Sequence, residues 1–151
     1  QLGKFDAILA IQKRNYTLIR NALSTLEGLT FREVPGGGEE NYSFVSFFLP
    51  NEELAKKAHK ALGDHGVDAN FYWYTNNWHY INGWEHLRNI KTLGAVSDGV
   101  RNHLEKLNNT DFSKSDAIMG RTISSLVKIG WSLEEVKLRA EKMKAAIASV
   151  L

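Results

Sequence analysis

The amino-acid sequence predicts an α+β fold in which a small antiparallel or mixed sheet is flanked by long helices. Helical and strand-like patterns alternate along the chain, and turn residues separate them. Amphipathic helical patterns occupy both ends, and the strand-like runs lie between them. With 151 residues, of which 43% are hydrophobic and 24% charged, the chain is long enough to bury a core, and we expect residues 1–151 to form a single domain.

The first third of the chain predicts a helix followed by a β-hairpin. Apolar residues follow one helical face from Leu2 to the turn at Gly28. Residues 29–34 are predicted to be a short strand, and the aromatic and β-branched run at 42–49 a buried strand. The turn at 35–38 contains Pro and three Gly. Because the helical pattern begins without Met or an N-cap residue, we expect a domain cut from a longer protein.

The remaining elements are predicted with different clarity. A second helix begins at Pro50 and Asn51 and ends at 65–66, and a strand starting at 67 or 70 follows. Short helical segments are predicted at 84–90 and 115–119 and a strand at 121–129, whereas 91–114 has the weakest pattern. The last helix, at 132–151, begins with a capping box of Ser132 and Glu135.

Residues 71–84 concentrate aromatic rings, amides and an imidazole in the order Phe-Tyr-Trp-Tyr-Thr-Asn-Asn-Trp-His-Tyr-Ile-Asn-Gly-Trp. Because successive strand residues point to opposite faces, the four rings at 71–74 cannot all enter one core. Trp and Tyr bury apolar area while keeping a hydrogen-bonding tip, which suits polar ligands and interfaces. We predict a ligand or interface surface here. The alternative is a core strand followed by an aromatic turn packed on the rest of the domain.

Arg121 is the second candidate for a binding residue, because it precedes a run at 122–127 that should be largely buried. A guanidinium at the edge of a buried strand can hold a carboxylate through two parallel hydrogen bonds, which Lys cannot reproduce. The alternative is an internal ion pair with Asp116 or Glu85. The sequence leaves both interpretations open.

Composition and charge argue against several classes of protein. A formal net charge of +2 without a basic stripe gives no indication of nucleic acid binding. Neither a secretory signal pattern nor an apolar run of membrane-spanning length is found, so no membrane is expected and cytoplasm is the expected location. The absence of cysteine excludes a disulfide scaffold, a zinc–thiolate site and a cysteine nucleophile.

The usual catalytic motifs are missing. The glycines at 36–38 lack the strand–glycine–helix context and the Lys-Ser/Thr of a phosphate loop, so they indicate a hairpin turn. His79 and His86 are separated by Asn82-Gly83, which argues against a helix carrying both as metal ligands, and no metal site is expected. No Gly-x-Ser-x-Gly elbow supports a hydrolase.

Four segments, at 1–6, 29–50, 71–80 and 115–124, make the chain resemble the C-terminal small domain of a fold type I pyridoxal-phosphate aminotransferase of the sugar-modifying class. The run Gln-Leu-Gly-Lys-Phe-Asp at 1–6, with Arg14 and Tyr16, is similar to the family's helix that crosses from the large domain into the small one. Residues 29–50 are similar to its small-domain hairpin. Within the family, the runs at 71–80 and 115–124 look most like the branch that makes 8-amino-3,8-dideoxy-octulosonate, an amino form of the lipopolysaccharide sugar Kdo.

This resemblance implies pyridoxal phosphate as cofactor, glutamate or glutamine as amino donor, a keto-sugar as acceptor and a homodimer. It also implies a separate large domain as partner, because the family's cofactor machinery, including the lysine that forms the aldimine, belongs to that domain. A Tyr-x-Pro-x-His-like motif is usual where the aromatic run stands. The resemblance implies a substrate-binding role for Arg121, Trp73, Tyr74, Asn77, Trp78 and His79.

Two other classes of function remain open from the residues alone. A non-catalytic module could stack sugars or bases on the aromatic rings of 71–84. A protein-interaction module would use the same rings as a docking surface.

Overall fold

A four-stranded antiparallel sheet organises the computed structural model, which describes residues 2–36, 38–76 and 79–151. Its strands are β1 (Thr30–Phe31), β2 (Phe44–Phe48), β3 (Asn70–Phe71) and β4 (Thr122–Leu126). They lie in the order β1-β2-β4-β3, so that β4, which is late in the sequence, pairs with β2 and β3 on its two sides.

Six α-helices accompany this sheet in the described ranges. The long ones are α1 (Phe5–Leu23), which follows a 3-10 turn at Leu2–Lys4, α2 (Glu52–Asp64) and α6 (Leu133–Ala148). The shorter ones are α3 (Glu85–Arg88), preceded by a 3-10 turn at Ile81–Gly83, α4 (Asp98–Asn108) and α5 (Ser113–Met119). This arrangement confirms the predicted α+β fold.

The hydrophobic core lies between one face of the sheet and the long helices. Val45 and Phe47 of β2 and Ile123 of β4 are completely buried there. The helices contribute Leu23 from α1 and Met143 from α6, which are equally buried. Burial of such side chains, at roughly 1.5–3 kcal/mol each, is the main force that holds the helices on this face.

The opposite face of the sheet, here called the second face, is only partly covered. Strand alternation places Phe44, Ser46 and Phe48 of β2 on it, and all three are half-buried. Ser46 lies directly opposite Ser124 of β4, and their hydroxyl oxygens are 2.9 Å apart. Phe71 of β3 pairs with Ser124 from the other side. The second face therefore carries an aromatic ring at each end of β2 and a hydroxyl pair in its middle.

The predicted strands are shorter than the sequence pattern suggests. The prediction of a strand at 42–49 begins too early, because Tyr42 has a φ of 59°, in the left-handed region that extended strands do not use. The strand at 29–34 shrinks to two residues, although its hairpin pairing with β2 is confirmed. The strand leading into the aromatic run also has two residues, because turns follow in which Thr75 N donates to Tyr72 O and Asn76 N to Trp73 O.

Helix α4 was not predicted. Ser97 caps its N-terminus by accepting a hydrogen bond from Val100 N, but none of its residues is buried. Without a buried stripe, the helical periodicity that sequence analysis relies on is weak. Among the described residues, no helix has the length and apolar character needed to cross a membrane.

The predicted capping box at the start of α6 is present. Ser132 accepts a hydrogen bond from Glu135 N at 3.2 Å, and Ser132 N donates to the Glu135 carboxylate at 2.7 Å. Both bonds satisfy backbone N–H groups that the first helical turn leaves without partners.

We expect Ser132→Ala to lower the free energy of unfolding by about 1 kcal/mol, because it removes the cap of a helix that lines the core. Ser132→Asp keeps a capping oxygen and should retain most of the stability. Urea unfolding followed by circular dichroism measures both. An equal loss in the two variants would contradict a capping role for Ser132.

Candidate functional site

The aromatic run divides between two sides of the chain. Phe71, Trp73 and His79 join Phe44 of β2 on the second face; these four rings are called the aromatic corner. Tyr72, Tyr74 and Tyr80 lie together on the other side, near α2 and α5, and are called the tyrosine cluster. Residues 71–74 thus alternate between the two sides as the sequence predicts, although β3 ends at Phe71 and turns follow it.

The aromatic corner is built by stacking. The rings of Phe71 and Trp73 are nearly parallel, with centroids 4.8 Å apart and an interplanar angle of 6°. Phe44 contacts both rings edge-on at 6.0 and 6.4 Å, and His79 contacts Trp73 edge-on at 4.9 Å. Such pairs stabilise by about 0.5–1.5 kcal/mol each beyond area burial. Trp73 is half-buried and His79 is exposed, so the corner offers aromatic surface and an imidazole to solvent.

In the tyrosine cluster, Tyr72 and Tyr80 are buried and hydrogen-bonded, and Tyr74 is half-buried. The hydroxyl of Tyr72 donates to the carbonyl oxygen of Gly120 at 2.7 Å, which ties β3 to the end of α5. Burial, and then the nearby charge of Glu52, raise the pKa of Tyr72 to about 12. Tyr74 contacts Tyr72 and Tyr80 at centroid distances of 6.2 and 5.9 Å.

Asp116 of α5 gathers the segment after the aromatic run. Its carboxylate accepts hydrogen bonds from the hydroxyl of Tyr80 and from Asn82 Nδ2, the latter at 3.1 Å. Arg88 in turn donates to Asn82 Oδ1 at 3.1 Å. Burial, and then the hydrogen bond to Asp116, raise the pKa of Tyr80 to about 12. These contacts hold α3 and the preceding turn against α5.

Arg121 lies at the other end of the second face. Its guanidinium carbon is 5.1 Å from the centroid of the Phe48 ring, and Nη1 donates a long hydrogen bond of 3.5 Å to Leu49 O. In the described part of the chain, neither Asp116 nor Glu85 comes within ion-pair distance of it. The internal ion pair considered from the sequence is therefore not formed, and the Arg121 side chain is half-buried beside an aromatic ring.

The predicted site residues do not converge on one point. Trp73 and His79 are in contact, whereas Arg121 lies over Phe48, four residues along β2 from Phe44. That separation is about 13 Å along the strand. Tyr74 points into the tyrosine cluster and supports the corner from the opposite side. Asn77 and Trp78 lie outside the described residues.

The sequence analysis did not identify two features of the candidate site: Phe44 in the aromatic corner and the contact between Asp116 and Tyr80. Phe44 could have been assigned to the second face from the alternation along 42–49, since Phe44, Ser46 and Phe48 share a parity. The pairing of Asp116 with Tyr80 joins residues 36 positions apart and has no local sequence signal.

The charged groups place limits on chemistry within this chain. Every lysine is exposed, and none is enclosed in a cavity of the kind that holds a covalently bound cofactor. The described residues contain no group of three His, Asp or Glu side chains arranged to hold a metal ion. A catalytic centre complete in itself is not seen in the described residues.

Comparison with known proteins finds a solved structure with a similar fold. No protein-family model matches the chain. Its structure is similar to the crystal structure of 3-amino-5-hydroxybenzoic acid (AHBA) synthase, with a TM-score of 0.54 and 21% sequence identity. The similarity covers 99% of this chain but 36% of AHBA synthase, so the chain spans about a third of that protein's length.

We expect Tyr80→Phe to lower the free energy of unfolding by about 1–2 kcal/mol, because Asp116 loses a donor from a largely buried hydroxyl. Folding raises the pKa of Tyr80, so its contribution is complete below pH 10 and disappears as the pH rises towards 12.

Urea unfolding of the parent protein and of Tyr80→Phe, between neutral pH and pH 11, measures the difference in their free energies of unfolding. Tyr42→Phe is the matched control, since its hydroxyl donates at 3.2 Å to Glu39 in an exposed position, and it should cost less. A Tyr80→Phe protein as stable as the parent at neutral pH would contradict the account.

Proposed function

We propose that this chain is the small domain of a pyridoxal-phosphate-dependent transaminase that moves an amino group from glutamate or glutamine to a keto-sugar. The observation that carries the proposal is a fold shared over 99% of the chain with about a third of AHBA synthase. The name of that protein describes an amino-bearing product. The sequence resemblance to sugar aminotransferases points in the same direction from different evidence.

The cofactor would be held mainly by a large domain. The lysines of this chain are all exposed, and an exposed lysine does not give the oriented, water-excluding environment that pyridoxal phosphate chemistry requires. The residues present here therefore do not fit a complete cofactor site. The chain alone should be inactive, and no chemical step is assigned to it.

The contribution of this domain would be one wall of the substrate cleft. Trp73 presents a half-buried indole stacked on Phe71, which fixes the ring plane without a large entropy cost on binding. The apolar face of a sugar ring packs on such a surface, and His79 at its edge can hydrogen-bond a hydroxyl group. For Asn77 and Trp78, which lie outside the described residues, the proposal keeps the substrate-binding role that the sequence resemblance implies, and Tyr74 supports the aromatic corner from the opposite side.

Arg121 is proposed to bind a substrate carboxylate. Its guanidinium lies over Phe48 rather than in an ion pair, so a bidentate partner can be accepted without breaking an existing bridge. Its distance from the aromatic corner means that the carboxylate and the sugar face would be held at separate ends of the second face.

The narrower proposal is an acceptor of the 8-keto-Kdo type, in lipopolysaccharide biosynthesis. Its support is the likeness of the runs at 71–80 and 115–124 to the amino-Kdo branch. A homodimer and a cytoplasmic location belong to the same proposal.

A non-catalytic carbohydrate-binding or protein-interaction module is the alternative. The observation that favours it is the partly exposed aromatic corner in a chain without an enclosed lysine. Such a module would bind sugar or a partner protein without amino transfer.

The first test of the proposal uses covalent attachment of the cofactor. We expect the full natural protein, treated with pyridoxal phosphate and then borohydride, to carry stoichiometric label on one lysine outside these 151 residues. Peptide mapping after reduction locates it. Specific stoichiometric label on a lysine within this chain, or none anywhere, would contradict the assignment.

The second test concerns Arg121. In the full natural protein, Arg121→Lys keeps the charge but loses the planar fork, and we expect a loss of about 2 kcal/mol in binding or transition-state stabilisation of a carboxylate-bearing substrate. The melting temperature should hardly change, since no ion pair of Arg121 is broken. Kinetics of both half-reactions and thermal unfolding separate the two effects.

Arg101→Lys, the same change at an exposed position of α4, is the matched control. A melting temperature lowered by Arg121→Lys, with unaltered kinetics in both half-reactions, would indicate a structural role instead.

A further inference from the structure

A cavity of about 720 Å³ lies between α1 and the edge strand β1, away from the candidate site. Its volume is within the range of small-molecule binding pockets. It shares no lining residue with the aromatic corner or the tyrosine cluster, and Arg121 does not line it. Its walls come from α1, β1 and the loop after β1, and consist of Tyr16, Thr17, Arg20, Asn21, Thr30, Phe31, Arg32, Glu33, Val34 and Glu40.

The carboxylate of Glu40 forms part of one wall of the cavity and accepts hydrogen bonds from neighbouring side chains. Arg32 donates a hydrogen bond to it, and the Glu40 side chain is only 9% exposed. Burial alone would raise the pKa of Glu40, but the hydrogen bonds from Arg32 and Tyr16 outweigh it and lower the pKa. Burial and the same contact with Glu40 raise the pKa of Tyr16 to about 12. Glu40 is thus charged at neutral pH, and Arg32, in direct contact, and Arg20, at longer range, compensate its charge.

Arg20 is in a different situation. Its guanidinium carbon is 4.9 Å from the centroid of the Phe31 ring, and the side chain is half-buried. Within the described ranges, no carboxylate lies within ion-pair distance of it. Contact with a ring face orients a guanidinium but does not use its hydrogen-bond donors. The charge of Arg20 helps to lower the pKa of Glu40 at longer range, but no described carboxylate accepts a hydrogen bond from its guanidinium, whose donors therefore face the cavity.

Apart from the Arg32–Glu40 pair and the exposed carboxylate of Glu33, the polar groups that line the cavity next to Arg20 are neutral. The Asn21 amide and the Thr30 hydroxyl line the cavity next to Arg20, and each both donates and accepts hydrogen bonds. Both residues are exposed, so a ligand reaches them without rearrangement of the core.

We infer that this cavity binds a small hydroxylated organic anion. Arg20 holds its carboxylate or phosphate through the guanidinium fork, and Asn21 and Thr30 hydrogen-bond its hydroxyl groups. Phe31 keeps the guanidinium in place, and the Arg32–Glu40 pair closes the side towards the loop. This site does not depend on the proposed transaminase function, because it uses none of the same residues.

Isothermal titration of the full natural protein with D-glucuronate, D-glucose 6-phosphate and neutral D-glucose tests the inference. We expect at least one of the two anionic sugars to bind and D-glucose not to bind. Binding of glucuronate alone identifies a carboxylate site, and binding of glucose 6-phosphate alone identifies a phosphate site. Absence of binding by both anions at about 10 mM, a concentration that detects even millimolar affinity, overturns the inference.

Two arginine variants decide whether the cavity is responsible. Arg20→Gln should weaken binding of the anionic sugar at least about tenfold, which corresponds to about 1.4 kcal/mol. Arg101→Gln makes the same change on exposed α4, outside the cavity, and should bind like the parent protein. Equal affinity of Arg20→Gln and the parent overturns the inference.

Circular dichroism checks that Arg20→Gln is folded. If it is not, Thr30→Val carries the test, because it keeps the side-chain volume at an exposed residue and removes only the hydroxyl. Weaker binding in this variant supports the site, and unchanged binding overturns it.

Discussion

The alternation of side chains across the four-stranded sheet is the constraint on which the rest of this structure depends. In β2, Val45 and Phe47 enter the helix-covered core, so Phe44, Ser46 and Phe48 must face the other way. The same parity continues after β3, where Phe71 and Trp73 stack on Phe44's side. The long helices cover only the core face of the sheet. The rings of the aromatic corner therefore lie on the second face, where no long helix covers them.

Local chemistry made much of this predictable from the sequence. The capping box at Ser132 and the anionic first turn of α2 are short-range patterns with a direct physical cause. The division of residues 71–74 between two sides was also predicted from alternation, although β3 ends at Phe71. The position of the rings needed the turn after Phe71, which shortens β3 and brings His79 back onto Trp73.

What the sequence did not reveal is non-local or lacks a periodic signal. The bonds of Asp116 to Tyr80 and Asn82 join distant positions, and so does the neighbourhood of α1 and β1 that forms the second cavity. Helix α4 has no buried residue, so its sequence resembles a polar loop. Arg121 shows a further limit: its position before a buried strand was evident, but its contact with Phe48 instead of an acidic partner was not.

A shared fold limits the function of this chain without fixing it. The similarity to AHBA synthase covers about a third of that protein, and all lysines here are exposed; both observations support the proposal of a domain that shapes a cleft rather than one that performs chemistry alone. In that proposal, the half-buried rings at one end of the second face and Arg121 at the other would provide the surface for a ligand with both apolar and anionic parts.

The central claim is that the second face of the sheet is a ligand-binding wall, and hydroxyl-radical footprinting of the full natural protein tests it most directly. Trp73 reports on the face, and Trp131, which packs against Arg139 at 4.5 Å and lies outside it, is the internal reference. With a keto-sugar acid added, oxidation of Trp73 should fall while that of Trp131 stays constant. Unchanged oxidation of Trp73 under conditions in which the sugar acid is bound would contradict the account.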